Sequence, residues 1–476
     1  MKFLDKLRNS DSLLSFLILE CIAITSFALG NYNVLFYLLG IFIALFAIAI
    51  TYNRFNKEEL KSMLTLAAPM LLLAVFSSFG LLLQADILNN ILSFLAIFSF
   101  IYLGIASRKI EGFSPWTLLI VLGAGLSLVT IISMIATWAN YGWFYAAIYK
   151  NTPIYYYNAE LFDVTKESTW LVGFKFKDTS TAYTGLYGIL LTSYLGGLLF
   201  INPKKDPRHF FIVLGIGLVG LLSIITVPNI PALVLLVPTI LVAVCYRFFK
   251  DNLKFRKVLK YGTFVFVGLV LIFFVLVLFN AAQIGGLSNF LASNKVLNRI
   301  FNGNRVMFPI NQVLSQALKS YNLFGYAPSS VHLETIDVIS VNSKMFAMEL
   351  VKQGGIFTVI FLVAFILIFG YIFVTYLNKS KDDHALKMIF FLFLVSFLVY
   401  QAFNYEAFPY VHDANQYIGF FRHPLTLIML FIVGFTFYPL SGEVKEKEKQ
   451  VEQTKEPAKK IKDEYSFEDS EGELTI

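Results

Sequence analysis

About twelve apolar stretches recur along this chain, each near the ~20 residues that a helix needs to cross hydrocarbon. They lie at 12–30, 34–52, 64–83, 91–106, 116–138, 182–201, 210–226, 232–249, 262–279, 354–377, 388–403 and 421–440. The pairs 210–226/232–249 and 388–403/421–440 are the shortest or most marginal. Such a pattern predicts an all-α polytopic membrane protein, because a backbone in lipid must satisfy its own hydrogen bonds and helices do so. Composition agrees. Of 476 residues, 57% are hydrophobic and 14% charged, leaving little polar side chain to cover a water-facing surface. Phe alone contributes 50 residues, which suits lipid-facing packing.

Charge placement predicts an orientation. Most of the 38 Lys and Arg fall in 1–11, 53–62, 107–114, 202–209, 247–261, 378–387 and 441–476, whereas 30–33, 84–90 and 227–231 hold none. The positive-inside tendency then puts both termini in the cytoplasm. Lys2 to Arg8 followed by an apolar run, with Ala28-Leu29-Gly30 beyond it, could be read as a signal peptide. The run is long for that, and cleavage would put the charge pattern out of phase. Residues 1–440 are expected to form one transmembrane domain with long outer loops at 139–181, 280–353 and 403–420. Residues 441–476 are Lys/Glu-rich and read as a charged, disordered or partly helical cytoplasmic tail. The net charge of +7 is dispersed among loops and does not point to nucleic acid. Cys21 and Cys245 sit in apolar runs, so neither a disulfide nor a metal cluster is expected.

The candidate chemistry is concentrated in 280–353. Arg305 follows Asn302-Gly303-Asn304, where Asn304 or Asn302 can cap the next helix and its N–H groups favour anions. A guanidinium there could hold a diphosphate, or could contact lipid headgroups. His332 and Glu334 follow the turn Leu323-Phe324-Gly325-Tyr326-Ala327-Pro328 and are candidate bases. Asn342 and Glu349, seven residues apart, share one helix face and could touch a glycan. Arg299 and Arg422 are further candidate phosphate ligands, and Arg422 could equally be a snorkelling interfacial residue. In 139–181, Tyr156 and Trp170 belong to an aromatic-rich loop suited to stacking on sugars or to a membrane-interface belt. Glu20 stands in mid-helix within the first stretch, where an ionisable residue merits a functional hypothesis. Lys381-Asp382-Asp383-His384 reads as a solvated loop rather than a metal site, and no nucleotide fingerprint or zinc spacing occurs.

The order Asn302-Gly303-Asn304-Arg305, Leu323-Phe324-Gly325-Tyr326, Val341-Asn342-Ser343 and Gly354-Gly355-Ile356 resembles the O-antigen ligase/polymerase family. More weakly, so does Gly173-Phe174 with Thr179 to Tyr183. The resemblance implies a GT-C-like membrane glycosyltransferase of the plasma (inner) membrane, without cofactor or metal. It would polymerise polyprenyl-diphosphate-linked oligosaccharide repeat units into O-antigen, capsule or exopolysaccharide. Arg305 maps onto the family's loop arginine, with Arg422 and Arg299 as possible substitutes for an absent Ser-Arg pair. Val341 stands where the family often has histidine, so His332 or Glu334 would act as base. Implied partners are the lipid-linked oligosaccharide, membrane lipids and other polysaccharide-assembly proteins. The alternatives are ligase-type transfer to a surface acceptor, a lipid-linked oligosaccharide flippase or transporter, and an inactive scaffold. A flippase should show a polar pathway reaching both faces.

Overall fold

The computed structural model describes residues 11–28, 34–52, 87–110, 112–141, 181–226, 230–250, 252–283, 285–301, 356–380, 382–403 and 425–436, with scattered positions between 55 and 72. These residues form helices α1 (Asp11–Ala28), α2 (Val34–Thr51), α3 (Ile87–Ser107), α4 (Pro115–Tyr141), α5 (Thr181–Leu198), α6 (Pro207–Thr226) and α7 (Ile230–Phe249). They continue with α8 (Leu253–Ala281), α9 (Gly285–Ser293), α10 (Lys295–Phe301), α11 (Ile356–Lys379), α12 (His384–Phe403) and α13 (Leu425–Thr436).

Local chemistry fixes several helix starts. Asp206 and Pro207 open α6 as N-cap and first-turn proline, with the Asp206 carboxylate accepting from the His209 backbone N–H at 3.3 Å. Asn252 caps α8 by accepting from the N–H groups of Lys254 and Phe255 at 2.9 and 3.4 Å. Asn294 does the same for α10 through Val296 and Leu297, at 3.0 and 3.2 Å. Gly112, at φ 80°, takes the left-handed conformation in the α3–α4 turn that glycine adopts without a Cβ clash.

Helix α5 is central. It packs against α4, α6, α7 and α12, and buries Leu186, Tyr187, Leu190, Leu191 and Tyr194 fully. At the α5–α6 crossing, a Cβ on Gly220 would lie 2.7 Å from the Gly188 carbonyl oxygen, so the two backbones meet where neither carries a side chain. Gly104 on α3 and Gly434 on α13 make a closer crossing. A methyl on either would collide with backbone of the other helix, at Phe431 and Ile101 respectively. The described residues of α13 are all buried, including Leu427, Ile428, Phe431 and Phe435.

This architecture corrects the expectation of about twelve spans. Among the described residues, two helical runs are long and apolar enough to cross a membrane: Pro115–Ile132 in α4 and Pro207–Ile225 in α6, of 18 and 19 residues. The runs Leu38–Thr51, Leu95–Ser107, Leu186–Leu198, Leu235–Phe249, His384–Tyr400 and Leu425–Thr436 are apolar and helical but only 10–17 residues long. A helix is apolar all round when it is packed inside other helices as well as when it faces lipid, and α13 and much of α5 and α12 are apolar for the first reason. The multi-pass plasma-membrane placement with two cytoplasmic termini falls with the spans, because the charge argument needs them to alternate the loops.

Candidate functional site

The polar side chains that the fold brings together lie at one end of the bundle, where the α3–α4, α5–α6, α7–α8 and α11–α12 turns meet. Arg108, just after α3, is the hub. Its Nη1 donates to Asp382 Oδ1 at 2.9 Å and its Nη2 to Asp382 Oδ2 at 2.5 Å, a two-pronged pair. Its Nε donates to the Phe435 carbonyl at 3.0 Å, and the guanidinium carbon lies 3.6 Å from the Phe435 ring centroid. Tyr376 on α11 donates its hydroxyl to Asp382 Oδ2 at 2.7 Å, and the Asp382 N–H donates to Ser380 Oγ at 3.1 Å. Burial opposes the charge on Asp382, yet the Arg108 hydrogen bonds and charge, helped by Tyr376 and Ser380, hold its carboxyl below the ordinary value. The side chains are only 11% and 14% exposed, so water screens the pair weakly.

This corrects the reading of Lys381-Asp382-Asp383-His384 as a solvated loop. Asp382 ties the end of α11, through Tyr376 and Ser380, to Arg108, 274 residues away in sequence, and Arg108 in turn reaches Phe435 of α13. Short-range pattern carries no sign of that contact; only an arginine placed directly after an apolar helix hints at it.

Two smaller clusters flank the clamp. Phe200, after α5, has ring centroids of Tyr246 and His384 at 5.6 and 6.2 Å, and the Tyr246 hydroxyl sits 3.3 Å from His384 Nδ1. The Arg247 guanidinium and Lys250 ammonium lie 5.7 and 5.9 Å from the Phe200 ring. At the start of α6, His209 Nδ1 lies 2.6 Å from Asp206 Oδ2 and the ring stacks on Trp116 at 4.6 Å. Hydrogen bonding from His209 lowers the Asp206 carboxyl. The arrangement can bind and orient charge at a bundle end. Among the described residues, no group of three or more His, Cys, Asp or Glu stands in position to hold a metal.

The residues singled out from the sequence are placed elsewhere. Arg305, His332, Glu334, Asn342, Glu349, Arg422, Tyr156 and Trp170 lie outside the described residues, as does the tail 441–476. Arg299 belongs to α10, with only its backbone described. Glu20 is exposed on α1. Cys21 is buried, its thiol 3.4 Å from the Gly40 carbonyl oxygen, whereas Cys245 is exposed on α7.

No family model matches the chain, and no curated protein or solved structure does so either. The resemblance to the O-antigen ligase/polymerase family is therefore withdrawn, since neither a family match nor the twelve-span frame supports it. The polysaccharide polymerase reading, its glycosyltransferase chemistry and the ligase and flippase alternatives each required that multi-pass frame, and they are corrected with it.

Proposed function

We propose that this chain is a lipid-associated helical scaffold, whose outward helix faces lie against acyl chains and whose clamped polar end meets the headgroup region. The observation that carries this is an apolar stripe at helical spacing on surfaces that no other described helix covers. On α6, Phe211, Leu218, Leu222 and Ile225 recur at intervals of seven, four and three, with Phe211 66% exposed. On α8, Val258, Tyr261, Val265, Leu269 and Ile272 recur at three and four, and all are exposed. A water-facing helix surface carries polar residues at those positions. Contiguous exposed apolar area of this kind marks a membrane or protein contact.

Two further features support lipid. The span-length windows on α4 and α6 are only 39% and 33% buried, unlike the mostly buried core helix of a water-soluble bundle. Six hydroxyls within the apolar helices are satisfied locally, while the buried Ser127 and Thr426 hydroxyls lack a hydrogen-bond partner among the described residues. Thr25, Ser26, Thr51, Thr130, Thr239 and Thr375 each donate to the carbonyl four residues earlier, which suits surroundings without water. Among the described residues, α4 and α6 supply the two crossing lengths.

Flotation with phosphatidylcholine vesicles tests it. Full-length protein reconstituted by detergent removal is expected to rise with the vesicles and to remain with them through an alkaline carbonate wash. Recovery of folded, monodisperse protein in the vesicle-free fraction without detergent would overturn the proposal and leave another protein surface as the cover.

A further inference from the structure

The bundle end that gathers the turns is also strongly basic, and the cations sit beside the apolar faces. Exposed Lys204, Lys205 and Arg208 occupy the α5–α6 turn and the start of α6, while exposed Arg247, Lys254 and Lys257 border the α7–α8 turn. The two turns are joined in space, because Phe200 lies within 6 Å of Tyr246 and of Arg247. Phe249 stacks on Phe255 at 5.0 Å and ties the end of α7 to the start of α8. Among the described residues, the acids at this end are largely engaged, Asp206 with His209 and Asp382 with Arg108, which leaves exposed Asp383. In sequence, Glu111 and Asp251 also fall between α3 and α4 and between α7 and α8, so the six cations outnumber the acids by a smaller margin. The last turns of α4, α6, α8 and α12, which finish at the other end, carry no basic residue. Directly adjoining the cations are exposed apolar side chains, Phe248 and Phe249 on α7 and Val258 and Tyr261 on α8.

We infer that the α7–α8 corner, with the neighbouring α5–α6 turn, is a docking surface for anionic phospholipid. Phosphate headgroups meet Arg247, Lys254, Lys257 and the Lys204–Arg208 segment, and the acyl chains continue down the exposed faces of α7 and α8. The inference rests on the lipid-associated reading and adds to it a headgroup class and an orientation. A ring of cations alone would attract any polyanion. A ring of cations at the rim of an apolar helix face fits a molecule with an anionic head and an apolar tail. The guanidinium of Arg247 supplies two-pronged phosphate contact, while the lysines act as mobile point charges.

Native mass spectrometry of the full chain released from detergent micelles tests this, with equimolar phosphatidylglycerol and phosphatidylcholine added. The expected result is retention of phosphatidylglycerol over phosphatidylcholine by about tenfold or more, a preference that weakens as salt is raised. The triple variant Arg247→Gln, Lys254→Gln, Lys257→Gln should lose that preference and still retain phosphatidylcholine. Lys295→Gln, on exposed α10 away from this corner, should keep it. Equal retention of the two lipids by the wild type, or an unchanged preference in the triple variant, would overturn the headgroup site while leaving lipid association standing. Retention of neither lipid, together with failure to float with vesicles, would overturn the lipid-associated reading itself.

Discussion

Arg108 and Asp382 show how much rests on single side chains. Each desolvates the other's charge, and each would be left uncompensated if its partner were removed. Arg108→Ala is expected to lower unfolding stability by about 3 kcal/mol, measured by denaturant titration in detergent. Replacing both residues by apolar ones of similar size, Arg108→Met with Asp382→Leu, should restore part of that loss, because no buried charge is then stranded. The clamp also has a pH signature. The folded Asp382 carboxyl is held below its unfolded value of about 3.9. Its contribution is therefore complete above that value and is lost as pH falls through the lower folded value. Thermal midpoints taken down from neutral pH should drop in that acidic window, and Asp382→Asn should remove this component of the drop. An unchanged acid profile in Asp382→Asn would show that the carboxylate is not linked to folding. None of this could be read from Lys381-Asp382-Asp383-His384 as a sequence, since a charged tetrapeptide between apolar runs looks the same whether it is solvated or clamped.

Helices were the part of the fold most plainly written in the sequence. The apolar stretches at 34–52 and 116–138 coincide closely with α2 and α4, because an apolar run bounded by turn residues is a local signal. What each helix faces is a tertiary property and was not legible. The stretch at 421–440 and the stretch at 262–279 look alike as sequences, yet α13 is buried throughout and α8 carries a long exposed face. The glycine crossings give the packing a direct test. Gly104→Ala places a methyl against the Phe431 backbone, which cannot swing aside as a side chain would. It should destabilise the bundle by about 1–3 kcal/mol or force α3 and α13 apart. Gly268→Ala on α8 has open space around it and should be neutral, or stabilising by up to about 1 kcal/mol through helix propensity. Equal effects of the two substitutions on the thermal midpoint would mean that α3 and α13 do not cross as described.

At the scale of the whole molecule, exposed apolar helix faces, two span-length runs and a basic end combine into one picture: helices in acyl chains, turns at the headgroups. The most direct test of it is the surroundings of Leu218, which is 48% exposed midway along α6. With Cys245→Ser removing the exposed native thiol, a nitroxide attached at Leu218→Cys in reconstituted vesicles can be challenged with oxygen, which concentrates in hydrocarbon, and with a water-soluble nickel chelate. Lipid contact predicts frequent oxygen collisions and few with nickel. Free access of the nickel chelate to that nitroxide would place the α6 face in water and contradict the lipid-associated scaffold.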